Sequence, residues 1–192
     1  MSYILYGGLF DPPHNGHMQI AEAAYKRIMP EEIIWIPARY PVHRDVEGIS
    51  ADARMELLRC LLDNRFGYSV SDVELNEDHP GFSIDTVLIF KRKYHGRESY
   101  FLIGTDEAEN FTSWKRWEDI IENTTLVIGR RKENTDIPEE VRENAIMLDN
   151  SICPISSTEI RSKLERGIIP YDCMDDKITS YIKEHGYYGT AG

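Results

Sequence analysis

Short runs rich in β-branched and aromatic residues alternate with longer runs of helical periodicity, and this alternation narrows the fold more than any other feature of the chain. "YILYG" (3–7) precedes "HMQIAEAAYKRIM" (17–29), and "EIIWIP" (32–37) precedes "SADARMELLRCLLDN" (50–64). The pattern repeats with "YSVSDVEL" (68–75) and "SIDTVLIFKRKY" (83–94), then with "SYFLIG" (99–104) and "SWKRWEDIIEN" (113–123), and closes on "TTLVIG" (124–129). Parallel strands need crossovers long enough to hold a helix, so the order predicts an α/β fold, a doubly wound parallel sheet with helices on both faces. Ligands of such sheets bind beyond the carboxyl ends of the strands, where the strand order reverses. The polar stretch 130–144 reads as a loop with one short helix and "AIMLD" (145–149) as a last strand. A C-terminal tail of two helices follows, 157–166 and about 175–184, stopped by Gly167 and Gly186.

A chain of 192 residues suits one domain spanning 1–192, burying roughly 70% of its unfolded surface. Its net charge of -11 argues against nucleic acid and anionic membranes as partners, since both are bound through concentrated Lys and Arg. An anionic ligand then requires a locally cationic site. Three cysteines without C-x-x-C spacing suggest neither a disulfide framework nor a zinc knuckle, and no apolar run approaches the length of a membrane helix. A reducing cytoplasm is the expected location.

At the exit of the first strand stands "GGLFDPPHNGHM" (7–18). Gly7 and Gly8 permit close approach of backbone to a ligand, and Pro12-Pro13 stiffens the loop before a helix begins near Gly16 or His17. His14 and His17, three apart, share one face in front of free first-turn amides, an arrangement suited to phosphate. The stretch is neither a Walker loop nor G-x-G-x-x-G. A metal pair with Asp11 is the rival assignment, although catalytic zinc wants a third well-placed ligand.

Far along the chain, "ISSTEIR" (155–161) carries a capping box in which Ser156, Ser157 and Thr158 supply hydroxyls and Glu159 reaches back. Arg161 adds a guanidinium to that helix start, making a second positive terminus for a polyphosphate.

The two stretches together resemble the G-x-F-D-x-x-H-x-G-H and I-S-S-T-x-I-R signatures of the nucleotidyltransferase superfamily, which implies a Rossmann-like sheet and Phe10 beside the ATP site. It also implies that a phosphate oxygen attacks the α-phosphorus of a nucleoside triphosphate and pyrophosphate leaves. A phosphate monoester is already ionised near neutral pH, its second pKa being about 6, so no general base is required. His14, His17 and Arg161 then act as donors that stabilise charge, with Mg2+ held mainly through the ATP phosphates.

Four further stretches are similar to the bacterial nicotinate-nucleotide adenylyltransferase family, which joins the AMP part of ATP to nicotinate mononucleotide. "IPARYPVHR" (36–44) implies His43 and Arg44 near phosphate, with Val42 where the family usually has a second proline. "GFSIDTV" (81–87) implies Ser83 and Thr86 beside the pyridine pocket. "FLIGTDEAENFTSWKRWEDI" (101–120) implies room for nucleotide at Gly104, Asp106 as an acceptor, Thr105 near the acid group and Trp114 stacked on the pyridine, with Trp117 on the same helix face as core. "VIGRRKE" (127–133) implies Arg130 and Arg131 as weaker phosphate candidates than Arg161, because Lys132-Glu133 replaces the usual Pro-Gly. Leu9 stands where Thr is common, and "ITSYIKEHGYY" (178–188) matches the family's C-terminal packing element. Self-association into a homo-oligomer stays open, as do two rivals: a pantetheine-phosphate adenylyltransferase or cytidylyltransferase, and a sensor that binds nucleotide without turnover.

Overall fold

The computed structural model describes residues 1–39, 48–153 and 155–190. The expected positions His43 and Arg44 lie outside the described residues. Six parallel strands form one sheet among the described residues: β1 (Ser2–Gly8), β2 (Glu32–Pro37), β3 (Tyr68–Val70), β4 (Glu98–Gly104), β5 (Thr125–Gly129) and β6 (Ala145–Met147). Their spatial order is β3-β2-β1-β4-β5-β6, so the winding reverses between β1 and β4 and the crevice there is the expected ligand position. The doubly wound class read from the alternation is the fold observed.

Alternate residues of the central strands feed two separate cores. Ile4 and Tyr6 of β1, Ile33 and Trp35 of β2, and Leu102 of β4 pack with buried residues of α1 (Asn15–Ile28), α2 (Ala51–Leu62), α7 (Ser157–Glu165) and α8 (Asp176–Glu184). Tyr3, Leu5, Ile34, Ile36, Phe101 and Ile103 face the other way, onto α3 (Ser83–Lys93), α5 (Trp117–Asn123) and α6 (Glu139–Glu143). A strand buried on both faces reads as a continuous apolar run, which is why the strand stretches were legible in sequence. No helix among the described residues is long and apolar enough to cross a membrane.

Three local expectations need correction. The run 68–75 is strand only over Tyr68–Val70. Beyond it the Ser71 hydroxyl accepts the Val73 N–H at 3.4 Å, and the chain tightens into a 3-10 turn, Val73–Leu75. The helix expected over 113–123 begins at Trp117, because the preceding 3-10 turn, Phe111–Ser113, ends at an extended Trp114 and Arg116 adopts a left-handed conformation (φ 54°) before the new helix. Trp114 and Trp117 therefore do not share a helix. A one-turn helix, α4 (Thr105–Ala108), stands directly after β4, where sequence suggested only a turn.

Candidate active site

Helix α1 starts on an unusual cap. His14 is its N-cap residue, and its Nδ1 accepts the Gly16 N–H at 3.1 Å, while Nδ1 of His17 reaches back to accept the His14 N–H at 3.2 Å. The imidazoles take the parts that Ser and Glu play in an ordinary capping box. Their rings lie 3.8 Å apart between centroids, and Phe10 packs edge-on against His17 at 5.1 Å. With each Nδ1 engaged as an acceptor, a neutral ring carries its proton on Nε2. The local cap thus fixes which nitrogen of each ring is left as a donor.

Both rings are neutral. Burial, reinforced by the Arg131 guanidinium, presses His14 down to about 3. Burial, then His14, then Arg131 hold His17 well below its ordinary value. The sign for stability follows. These folded-state values are depressed, so between the folded value and about pH 6.5 the unfolded chain binds more protons, and stability falls on acidification by up to about 1.4 kcal/mol per pH unit for each imidazole. Melting temperatures measured from pH 7 to pH 4.5 should fall less steeply for His14→Gln than for wild type; parallel curves would contradict the neutral assignment.

Helix α7 begins across the crevice with the capping box read from sequence: Ser156 Oγ accepts the Glu159 N–H at 3.2 Å, and Glu159 Oε2 accepts the Ser156 N–H at 3.3 Å. Its first turn is tied to the loop after β1. Ser157 Oγ donates to the Pro12 carbonyl at 3.0 Å, and Arg161 Nη1 donates to the Asp11 carbonyl at 2.7 Å. The third wall comes from α4 and the segment after β5. Arg131 pairs with Asp106 at 3.2 Å and its main-chain N–H donates to Thr105 Oγ1 at 3.1 Å. Glu107 Oε2 accepts the Gly104 N–H at 2.7 Å.

These walls enclose a crevice of about 610 Å³ lined by Gly8, Phe10, His14, His17, Asp106, Arg131, Ser156, Ser157, Thr158 and Arg161, all expected from sequence. Glu107, Lys132 and Cys153 also line it and were not expected. Nothing in the stretch "TDEA" marks Glu107, which matters only once α4 turns it back onto Gly104. Arg131 lies beside the histidines, whereas Arg130 faces Asp149 at 3.6 Å, so the two adjacent arginines separate. Gly104 borders the crevice wall: a Cβ there would collide with Asp106 Oδ1 and meet Arg131 Cδ at 2.8 Å. Gly7 does not line the crevice.

The residues assigned to the pyridine side are not part of this crevice. Thr86 is fully buried, its hydroxyl donating to Glu74 at 2.6 Å with His79 Nε2 at 3.2 Å, and Thr105 is 1% exposed with its hydroxyl holding Arg131. Both hydroxyls are engaged inside the fold. Ser83 opens α3 and remains partly exposed. Trp114 is half-buried, its ring 5.1 Å from Phe111 and 6.2 Å from Phe101. No group of three His, Cys, Asp or Glu side chains gathers into a metal cage among the described residues.

The chain is similar to known proteins both in sequence and in fold. A family model described as cytidylyltransferase-like matches residues 5–163. A protein of Exiguobacterium sibiricum named "Probable nicotinate-nucleotide adenylyltransferase" is 32% identical over 187 residues, covering 97% of this chain and 98% of its own. A protein of the same name from Borrelia hermsii is 31% identical over 193 residues, with 98% of both chains covered. Among solved structures, the Plasmodium falciparum nicotinic acid mononucleotide adenylyltransferase complexed with NaAD aligns with a TM-score of 0.80 at 18% identity, covering 99% of this chain and 98% of that one. That likeness speaks to the fold, and the sequence relatives speak to the lineage. By the family model and these sequence relatives, the chain belongs to the cytidylyltransferase-like nucleotidyltransferases and, among them, to the nicotinate-nucleotide adenylyltransferase family.

Proposed function

We propose that this protein transfers the adenylyl group of ATP to nicotinate mononucleotide, releasing pyrophosphate and forming nicotinate adenine dinucleotide, a step of NAD biosynthesis in the cytoplasm. The observation that carries the reading is the convergence of two neutral imidazoles and two guanidinium groups on one crevice at the reversal of strand order. In a chain of net charge -11, such a concentration of donors suits a polyanion rather than a general surface.

The ionised phosphate of nicotinate mononucleotide attacks the α-phosphorus of ATP, the bond to the β-phosphate oxygen breaks, and the electron pair leaves with pyrophosphate. Neither His14 nor His17 is needed as a base. Their Nε2–H groups and the two arginines hold the reacting groups in line and stabilise charge on the equatorial and leaving oxygens. The start of α7 adds main-chain N–H groups of its first turn, whereas the first-turn amides of α1, expected to be free, are engaged: Asn15 by the Cys173 carbonyl, Gly16 by His14 Nδ1 and His17 by the His14 carbonyl. Magnesium fits as a partner of the triphosphate, since Asp106 and Glu107 are occupied by Arg131 and Gly104, leaving phosphate oxygens and water to supply its ligands. It would lower the charge that the donors must meet.

The test is pyrophosphate release with ATP, magnesium and, in turn, nicotinate mononucleotide, nicotinamide mononucleotide, phosphopantetheine and a sugar or alcohol phosphate. Turnover fastest with nicotinate mononucleotide is expected. A faster rate with another acceptor would reassign the substrate, and ATP binding without turnover on any would leave a sensor. Trp114→Ala should raise KM for the nicotinate substrate at least about tenfold, as loss of one base-stacking aromatic does, while KM for ATP stays within about twofold. Equal losses for both substrates would remove Trp114 from the pyridine site.

A further inference from the structure

The loop that presents the histidines is held from the far end of the chain. Asp11 is 1% exposed, and its Oδ1 accepts the Tyr188 hydroxyl at 2.5 Å across 177 positions of sequence. Its other contact among the described residues is a long one, the Ile49 N–H at 3.5 Å, and Oδ2 has no hydrogen-bond partner there. The main-chain carbonyl of the same residue receives Arg161. Four residues on, Asn15 donates its N–H to the Cys173 carbonyl at 2.9 Å and its side-chain amide to the Asp172 carbonyl at 3.2 Å. Residues 172, 173 and 188 all lie past position 163, where the match to the family model ends.

Tyr188 is built to stay in place. Gly186 (φ 64°) and Tyr188 itself (φ 55°) turn the chain back after α8, whose Ile178 and Ile182 are fully buried, and Thr190 Oγ1 closes the turn on the Ile182 and Tyr187 carbonyls at 3.2 and 2.8 Å. A phenylalanine would pack its ring in the same way but would leave a buried carboxyl oxygen with only the long contact among the described residues. An unmet buried acceptor costs about 1–3 kcal/mol, which the loop relieves by moving Asp11. Asp11 is three residues from His14 and carries the carbonyl that holds Arg161, so such a movement displaces both charge-stabilising elements together.

We propose that Tyr188 is a positioning residue for adenylyl transfer, fixing the Asp11 carboxyl and through it the alignment of His14, His17 and Arg161. The kinetic part of this inference rests on the adenylyltransferase reading above; the exchange part does not. Tyr188→Phe should lower kcat about tenfold, in keeping with a small misalignment of reacting groups, while KM for ATP stays within about twofold. Asp11→Ala, which removes the acceptor, should lower kcat at least as far, and Tyr188→Phe added to Asp11→Ala should cost nothing more, because the hydroxyl acts through that carboxyl. In ligand-free protein, hydrogen exchange of a peptide spanning 9–16 should quicken about tenfold in Tyr188→Phe, while peptides of β1 and β4 exchange as in wild type. Losses that multiply in the double variant, a kcat within twofold of wild type, or unchanged exchange over 9–16 would each overturn the proposal. A wild type inactive with every acceptor would overturn the functional reading alone, and the exchange comparison would still decide the role of Tyr188.

Discussion

His17→Ala should lower kcat at least about a hundredfold while KM for ATP changes little, since one preorganised donor aimed at transition-state charge is commonly worth that much. Its ring is 5% exposed and touches Phe10, so the truncation also removes packing and frees the His14 N–H that His17 accepts. Loss of one such acceptor costs about 1–3 kcal/mol, which a domain of this size tolerates, and a melting curve shifted by several degrees but still cooperative is expected. Steady-state kinetics on that folded variant decide the matter. Turnover near wild type would show that the imidazole is a helix cap and nothing more.

The second large effect concerns Arg131. Replacing it with Ala should lower kcat/KM for ATP by about a hundredfold or more, through both KM and kcat, because the guanidinium is present in the ground state and in the transition state. The loss exceeds that of a simple cation. Asp106 and Glu107 remain behind, so the crevice passes from a balanced cluster to one bearing uncompensated carboxyls in front of a triphosphate. Arg131→Lys should recover little, since a point ammonium cannot make the planar contacts of a guanidinium. A loss of less than threefold in Arg131→Ala would place the residue in a structural role only.

How much of this was legible in the sequence depends on the range of the interactions. The strands read clearly because a parallel strand covered on both faces must be apolar throughout, and Ile33 to Ile36 or Leu126 to Ile128 cannot serve otherwise. The start of α7 also reads clearly, since its capping box is set within four residues, whereas at α1 the two imidazoles themselves cap the helix and take up amides that the sequence leaves free for a ligand. The helical periodicity of its neighbours puts Trp114 on a helix; the left-handed turn at Arg116 that separates it from Trp117, with both rings against Phe111, is announced by no local pattern. The family resemblance places Thr86 and Thr105 beside a ligand, yet their hydroxyls find acceptor and donor partners at positions 74 and 131. Arg131 was ranked below Arg161 on a departure from family pattern, whereas its position beside the histidines arises from the register of β4 on β5, Gly104 opposite Gly129.

The ties that close the loop after β1 span 145, 150 and 177 residues. Contacts of such separation form late, because the entropy of closing so long a segment is lost before any of them is gained. During synthesis, then, the sheet can assemble from the emerging chain while the loop carrying His14 and His17 waits for α7 and the turn at Tyr188. Order of manufacture and order of completion run opposite: a loop translated ahead of the whole sheet is among the last parts to become competent.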